Sequence, residues 1–127
     1  MDFEESYKRL TKAIVAEHEA VFERLDMRQL DAFMDEIIRA KHIFVYGTGR
    51  EGISMRGFAM RLAHLGKSVY WLMDDTTVGM HEGDLFLLCD GRGDVGIHRR
   101  IVEQASKTGA RLAFITGLPT GPLVRRY

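Results

Sequence analysis

The sequence is short of several things, and each shortage excludes something. A single cysteine, Cys89, stands among 127 residues. No disulfide can form within the chain, and the composition fits a reducing, cytoplasmic setting. Charge of neither sign is in surplus: Lys plus Arg and Asp plus Glu each number 18, for a formal net charge of zero. That balance excludes a general electrostatic attraction to nucleic acid or to an anionic membrane. A bound anion must therefore be held by local geometry. Near-zero net charge also leaves little repulsion against self-association. No apolar run approaches the ~18 residues that cross a bilayer, and the polar, acidic start from Asp2 does not read as a secretory signal. There is no internal repeat, low-complexity tract or linker, and no ligand spacing of a known metal motif.

What remains is an ordinary globular composition, 46% apolar, at the length of one domain, 1–127. Phe3, Tyr7, Leu10, Ile14, Val21 and Leu25 recur at helical steps, which predicts a long amphipathic helix. His18 beside that stripe reads as a packed or partly exposed histidine. Asp26 with Gln29 makes a capping-box pattern for a second helix whose apolar face is Leu30, Phe33, Met34, Ile37 and Ile38. These two helices fill residues 1–40. From 41 to 127 the pattern changes to short apolar strands alternating with helices. The expected strands are His42–Tyr46, Ser68–Leu72, Asp84–Cys89 and Arg111–Ile115, with helices over about Ile53–Leu65 and Ile97–Ala105. Gly66 reads as a helix C-cap. Gly117, Pro119, Gly121 and Pro122 break the chain after the fourth strand. The alternation predicts a three-layer α-β-α domain with a flavodoxin-like parallel sheet covered on both faces. Such a sheet ordinarily carries one more strand and helix, so a last strand and helix are expected to be missing.

Two loops stand out. Gly47-x-Gly49-x-x-Gly52 follows the first strand and opens a helix. Glycines there admit positive φ and a close backbone approach, and the helix start offers free N–H groups and its positive dipole end to an anion. The spacing also fits a dinucleotide fingerprint, with Asp74 or Asp75 about twenty residues further on as the ribose-binding acid. The second loop, Asp90-Gly91-Arg92-Gly93-Asp94, ends the third strand. In a flavodoxin-like order the first and third strands flank the crevice where strand order reverses. Both loops would then grip one ligand. Ile53, Gly57, Met60 and His64 share one helix face and Phe58, Leu62 and Leu65 another, so His64 is expected near an interface or a site, as a candidate general base. Cys89, after Phe86-Leu87-Leu88, reads as a structural thiol. Asp74, Asp75, His81, Glu82 and Asp84 read as a solvated acidic loop. Arg92-Gly93-Asp94 spells an adhesion tripeptide by coincidence.

The run Ile43-Phe44-Val45-Tyr46-Gly47-Thr48-Gly49-Arg50-Glu51-Gly52, followed by Phe58-Ala59-Met60-Arg61-Leu62-Ala63-His64-Leu65-Gly66, resembles the SIS (sugar isomerase) domain family. It is most similar to the 6-phospho-3-hexuloisomerase branch. Glu82-Gly83-Asp84-Leu85-Phe86 and Gly91-x-Gly93 extend the likeness, which covers about residues 30–120. The resemblance implies a phosphosugar-binding domain, without cofactor or metal. If active, it would be a ketose/aldose phosphate isomerase assembled as a homodimer or homotetramer. By resemblance Gly47, Thr48, Gly49, Arg50 and Glu51 form one side of the substrate site, Asp90, Gly91, Arg92, Gly93 and Asp94 the other, and His64 matches the catalytic histidine. Glu51 stands where the family's first loop has serine, and Asp90 where its second loop begins with serine. The family's C-terminal catalytic glutamate has no counterpart before Tyr127. Two other readings stay open: a SIS-like sensor or scaffold without catalysis, and a dinucleotide-binding domain.

Overall fold

The computed structural model describes residues 2–127. Its elements are α1 (Phe3–Glu23), α2 (Met27–Arg39), β1 (Ile43–Tyr46), α3 (Gly49–His64), β2 (Val69–Trp71), β3 (Leu85–Cys89), α4 (Gly96–Ser106), β4 (Arg111–Ile115) and α5 (Pro122–Arg126). The chain divides into two compact units, one ending at Met34 and one from Asp35 to Tyr127. In the first, Asp2 caps α1 through Glu4 N–H at 3.2 Å, and no residue of α1 is buried. Asp26 accepts from Arg28 N–H at 2.9 Å, so it caps α2 as its sequence position predicts.

In the second unit all four strands are parallel, in the order β2-β1-β3-β4. This is the expected flavodoxin-like order. The chain leaves β1 toward one edge and β3 toward the other. Right-handed crossovers therefore place α3 and α4 on opposite faces, which makes three layers. Strand residues alternate between these faces. Phe44, Tyr46, Phe86 and Leu88 pack with Val102 and Ala105 of α4 and with Leu123 of α5. Ile43, Val45, Leu85 and Leu87 point the other way, toward the face of α3 that buries Gly52, Met55 and Leu62. These eight buried strand side chains drive the fold by removing apolar surface from water.

The face of α3 that carries Ile53 and Met60 is solvent-exposed in the single chain, and so is Leu65 just past the helix end at His64. One expectation needs correction. Asp84 belongs to no solvated loop. It is buried, and its carboxylate accepts from His42 Nδ1 at 2.9 Å and from His81 N–H at 2.8 Å. Those donors hold its pKa below the ordinary value against the opposing effect of burial. The stretch after β4 is broken as expected, yet Pro122 starts the short helix α5, a position where its missing N–H costs nothing. Gly66 has φ 88°, the left-handed conformation its C-capping place requires. Among the described residues no helix is long and apolar enough to cross a membrane.

Candidate functional site

The two glycine loops emerge at the carboxyl ends of β1 and β3, which are neighbours in the sheet. This is the point where strand order reverses, where open parallel sheets leave a crevice. The first loop turns almost at once into α3. Gly52 sits so close to Gly47 that a Cβ on it would lie 2.5 Å from the Gly47 carbonyl oxygen. Only glycine permits that approach. Gly49 has φ 57°. Thr48 occupies the N-cap of α3, but its hydroxyl makes no cap hydrogen bond. The first-turn amides of α3 thus keep their donors free of a side-chain cap, the arrangement that suits an anion.

The second loop is organised by Asp90, which is wholly buried. Its Oδ1 accepts from Arg92 N–H at 3.2 Å. Its Oδ2 accepts from Val95 N–H at 2.8 Å and from His98 Nδ1 at 2.9 Å. Although burial opposes ionisation, these donors hold the Asp90 carboxyl below the usual carboxylate range. Asp90 is therefore turned inward on its own loop rather than toward a ligand. The loop is braced from behind: Gly93, at φ 68°, packs on Gly121, where a Cβ would lie 2.6 Å from the Gly93 carbonyl oxygen.

One contact joins the loops, and a second ties the first loop to α4. Glu51 Oε1 accepts from Gly91 N–H at 3.0 Å. Thr48 Oγ1 lies 3.4 Å from His98 Nε2. The site residues expected from sequence thus fall into groups. Gly47, Thr48, Gly49 and Glu51 lie past the end of β1, and Asp90, Gly91 and Gly93 past the end of its neighbour β3. Arg50 and Arg92 are exposed, and among the described residues neither guanidinium is in an ion pair, unlike Arg56 with Asp74 or Arg99 with Asp94. Asp94 is occupied by Arg99, which lowers its pKa. His64 is not brought to this crevice. It is exposed at the opposite end of α3, about 22 Å along the axis from Gly49 at about 1.5 Å per residue. Asp74 is exposed and lies 4.0 Å from Arg56, whose guanidinium stacks over Trp71.

Cys89, at the end of β3, is partly buried. Burial first, then the negative charges of Glu51 and Asp90, raises its thiol to about 11. It is a thiol and not a thiolate at neutral pH, as its strand position predicts. Among the described residues no cluster of His, Cys, Asp or Glu has the arrangement of a metal site.

His98 is the residue that the sequence reading passes over. It lies in the first turn of α4, is wholly buried, and meets the edge of the Tyr46 ring at 5.7 Å between centroids. A signal existed: an aspartate at a strand end and a histidine eight positions later, at the start of the next helix.

Similar proteins add to this geometry. No protein-family model matches the chain. The chain is 37% identical over 100 residues to the 3-hexulose-6-phosphate isomerase of Mycobacterium gastri, covering 79% of this chain and 50% of that protein. It is 46% identical over 65 residues to the 3-hexulose-6-phosphate isomerase of Methanocaldococcus jannaschii, covering 51% of this chain and 36% of that one. Among solved structures, a hypothetical protein superposes with a TM-score of 0.88 at 28% identity, covering 94% of this chain and 64% of its own. A Methanococcus jannaschii protein, for which a 3-hexulose-6-phosphate isomerase function has been inferred, superposes with a TM-score of 0.69 at 35% identity, covering 75% of this chain and 55% of its own. The chain spans about half the length of the curated relatives it matches.

Proposed function

Because the chain is a SIS-family homologue of the 3-hexulose-6-phosphate isomerases across about half of their length, we propose that the crevice between its two glycine loops binds a phosphorylated sugar. The observation that carries this reading is the joining of the loops. Glu51 of one accepts from Gly91 N–H of the other, and Thr48 lies 3.4 Å from His98 at the start of α4, which supports reading them as one site at the strand-order reversal. The phosphate would take the uncapped first-turn amides of α3, with Arg50 and Arg92 as cations at the rim. The sugar hydroxyls would meet Thr48 and the backbone of Gly91.

The reaction class of this reading is ketose–aldose isomerisation, in which a base removes a proton beside the carbonyl. His64 is too distant to serve the crevice of its own chain. As the base it would act only in the crevice of a second copy. The exposed apolar side chains of α1, among them Phe3, Tyr7, Ile14 and Phe22, support assembly into a homodimer or homotetramer. Light scattering at micromolar concentration reads that state, and a monomer would count against it.

The test is thermal stability of the purified chain against a panel of sugar phosphates, free phosphate and NAD, followed by an isomerase assay with a hexulose 6-phosphate. A ligand at 100 times its dissociation constant adds about 2.7 kcal/mol, several degrees for a domain of this size. Stabilisation by NAD alone would favour a dinucleotide site. Stabilisation by a sugar phosphate without turnover would favour a binding module.

A further inference from the structure

Behind the Thr48 hydroxyl a histidine is sealed in the interior. His98 is fully buried, yet it is not packed as an inert aromatic. Nδ1 faces the Asp90 carboxylate at 2.9 Å and Nε2 faces Thr48 Oγ1 at 3.4 Å. The chain thus runs carboxylate, imidazole, hydroxyl, from the interior out to the first loop. Asp90 also holds the second loop through Arg92 and Val95. One buried pair therefore shapes one wall and touches the polar tip of the other.

An ionised carboxylate only accepts hydrogen bonds, so Nδ1 must carry a proton. The state of Nε2 then decides what Thr48 does. When Nε2 is bare it accepts the Thr48 O–H, and the crevice sees only lone pairs on Oγ1. When Nε2 is protonated it donates to Oγ1, and the Thr48 O–H is free to point at a ligand. Thr48 is available for either role because its hydroxyl does not cap α3.

We propose that His98 is a positioning residue that sets the direction of the Thr48 hydroxyl, so that its protonation turns Thr48 from an acceptor into a donor toward an anion in the crevice. This rests on the anion-binding reading of the loops for its consequence, but not for the hydroxyl orientation itself. Asp90 faces His98 from the end of β3 and Tyr46 from β1. Glu51 of α3 is engaged by Gly91 N–H, and Asp94 by Arg99. The nearest charge is thus the single carboxylate that already holds the ring. A hydroxyl that can reverse serves a ligand whose anionic group must be both seized and released.

The first test needs no ligand. Long-range proton–nitrogen spectra of the whole chain, recorded from pH 5 to 9, report which ring nitrogen carries the proton. The proposal requires neutral His98 to hold its proton on Nδ1, the reverse of the tautomer that free histidine prefers in water. It also requires the Nε2 resonance to move in Thr48→Val and to return toward wild type in Thr48→Ser. A proton on Nε2 in the neutral ring, or an Nε2 resonance that ignores Thr48→Val, would overturn it.

The second test uses glucose 6-sulfate, whose charge is fixed over this range, titrated calorimetrically at each pH. Wild-type affinity should fall by about tenfold as pH rises through the His98 titration, the size of one lost hydrogen bond. Thr48→Val should lose most of that slope and Thr48→Ser should keep it. His98→Gln, whose amide cannot titrate, should bind without the slope. The same slope in Thr48→Val as in wild type contradicts the proposal, as does wild-type binding that is flat with pH. Spectra as expected with no sulfate bound at any pH would leave the hydroxyl orientation established and sink the anion-binding reading of the crevice instead.

Discussion

Glu51 Oε1 accepts a hydrogen bond from Gly91 N–H at 3.0 Å, so a carboxylate of the first loop sits on a backbone amide of the second. That amide is one a phosphate or a sugar hydroxyl would use, and the carboxylate already carries the charge a phosphate brings. Two such charges ~4 Å apart repel by about 4 kcal/mol at an effective dielectric near 20. A sugar phosphate must therefore displace Glu51 or sit beside it. Glu51→Ser should tighten binding of fructose 6-phosphate by about tenfold or more, since it frees one donor and removes one negative charge. Calorimetric titration of the two proteins checks this, and weaker binding in the variant would mean that Glu51 grips the ligand itself.

The same contact makes Gly91→Ala informative. A Cβ there would lie 2.4 Å from Glu51 Oε1 and meets nothing else that close. In the wild-type background the substitution pushes Glu51 off the amide at a cost of about 1 kcal/mol. In Glu51→Ser that obstacle is gone. A double-mutant cycle by denaturant unfolding should therefore show strong non-additivity between the two sites.

Two other glycines have no such escape, because backbone is what they touch. A Cβ on Gly52 meets the Gly47 carbonyl oxygen at 2.5 Å, and one on Gly121 meets the Gly93 carbonyl oxygen at 2.6 Å. Gly52→Ala and Gly121→Ala should each destabilise the chain by roughly 1–3 kcal/mol, the usual range for overpacking. Gly57→Ala, where nothing lies within 4 Å, should stabilise it slightly through helix propensity. Melting temperatures of the three variants give the comparison.

Asp84 and Asp90 are both buried carboxylates with pKa values held below the unfolded value of about 3.9. A depressed folded-state pKa means the folded form binds fewer protons than the unfolded one. The stabilisation is then complete above the unfolded value and is lost as pH falls through the folded one. Stability should be insensitive to these two groups above about pH 5 and drop steeply below about pH 4. Asp90→Ala strands the buried His98 and the Arg92 and Val95 amides, and should cost about 3–5 kcal/mol. Urea unfolding across pH, in wild type and Asp90→Ala, reads both effects.

Cys89 should resist alkylation in the native chain at pH 7–8, because burial and the neighbouring negative charges of Glu51 and Asp90 raise its thiol to about 11. Glu51→Gln removes one of those charges and should quicken iodoacetamide labelling, while unfolding should quicken it far more. Labelling as fast in the folded as in the unfolded wild type would show that the thiol is not shielded.

The sheet was readable in the sequence because its strands are short runs of unbroken apolar residues between glycine-bearing turns. Ile43–Tyr46 and Arg111–Ile115 fall within a residue of their expected limits, and the parallel sense of the strands follows from helices alternating with strands. The glycine loops were readable from Gly47, Gly49 and Gly52, whose need for close approach the backbone bears out at Gly52. The interior polar network was not. Asp84 and Asp90 look like surface acids until the donors that bury them are placed, and those donors come partly from backbone that sequence does not position. His98 shares the face of α4 with Val102 and Ala105, so helical periodicity assigns the face to the core without saying that one member is polar. His64 shows the converse. Its motif is clear, but the length of α3 sets it far from the loops of its own chain.

Whether the two loops form one ligand site is tested most directly by a proton–nitrogen correlation spectrum of the chain titrated with fructose 6-phosphate. The predicted result is a saturable set of shifts confined to Thr48, Gly49, Arg50 and Glu51 of the first loop and Gly91, Arg92 and Gly93 of the second, moving with one dissociation constant. Shifts in one loop alone, shifts centred elsewhere on the molecule, or none at millimolar ligand would contradict it.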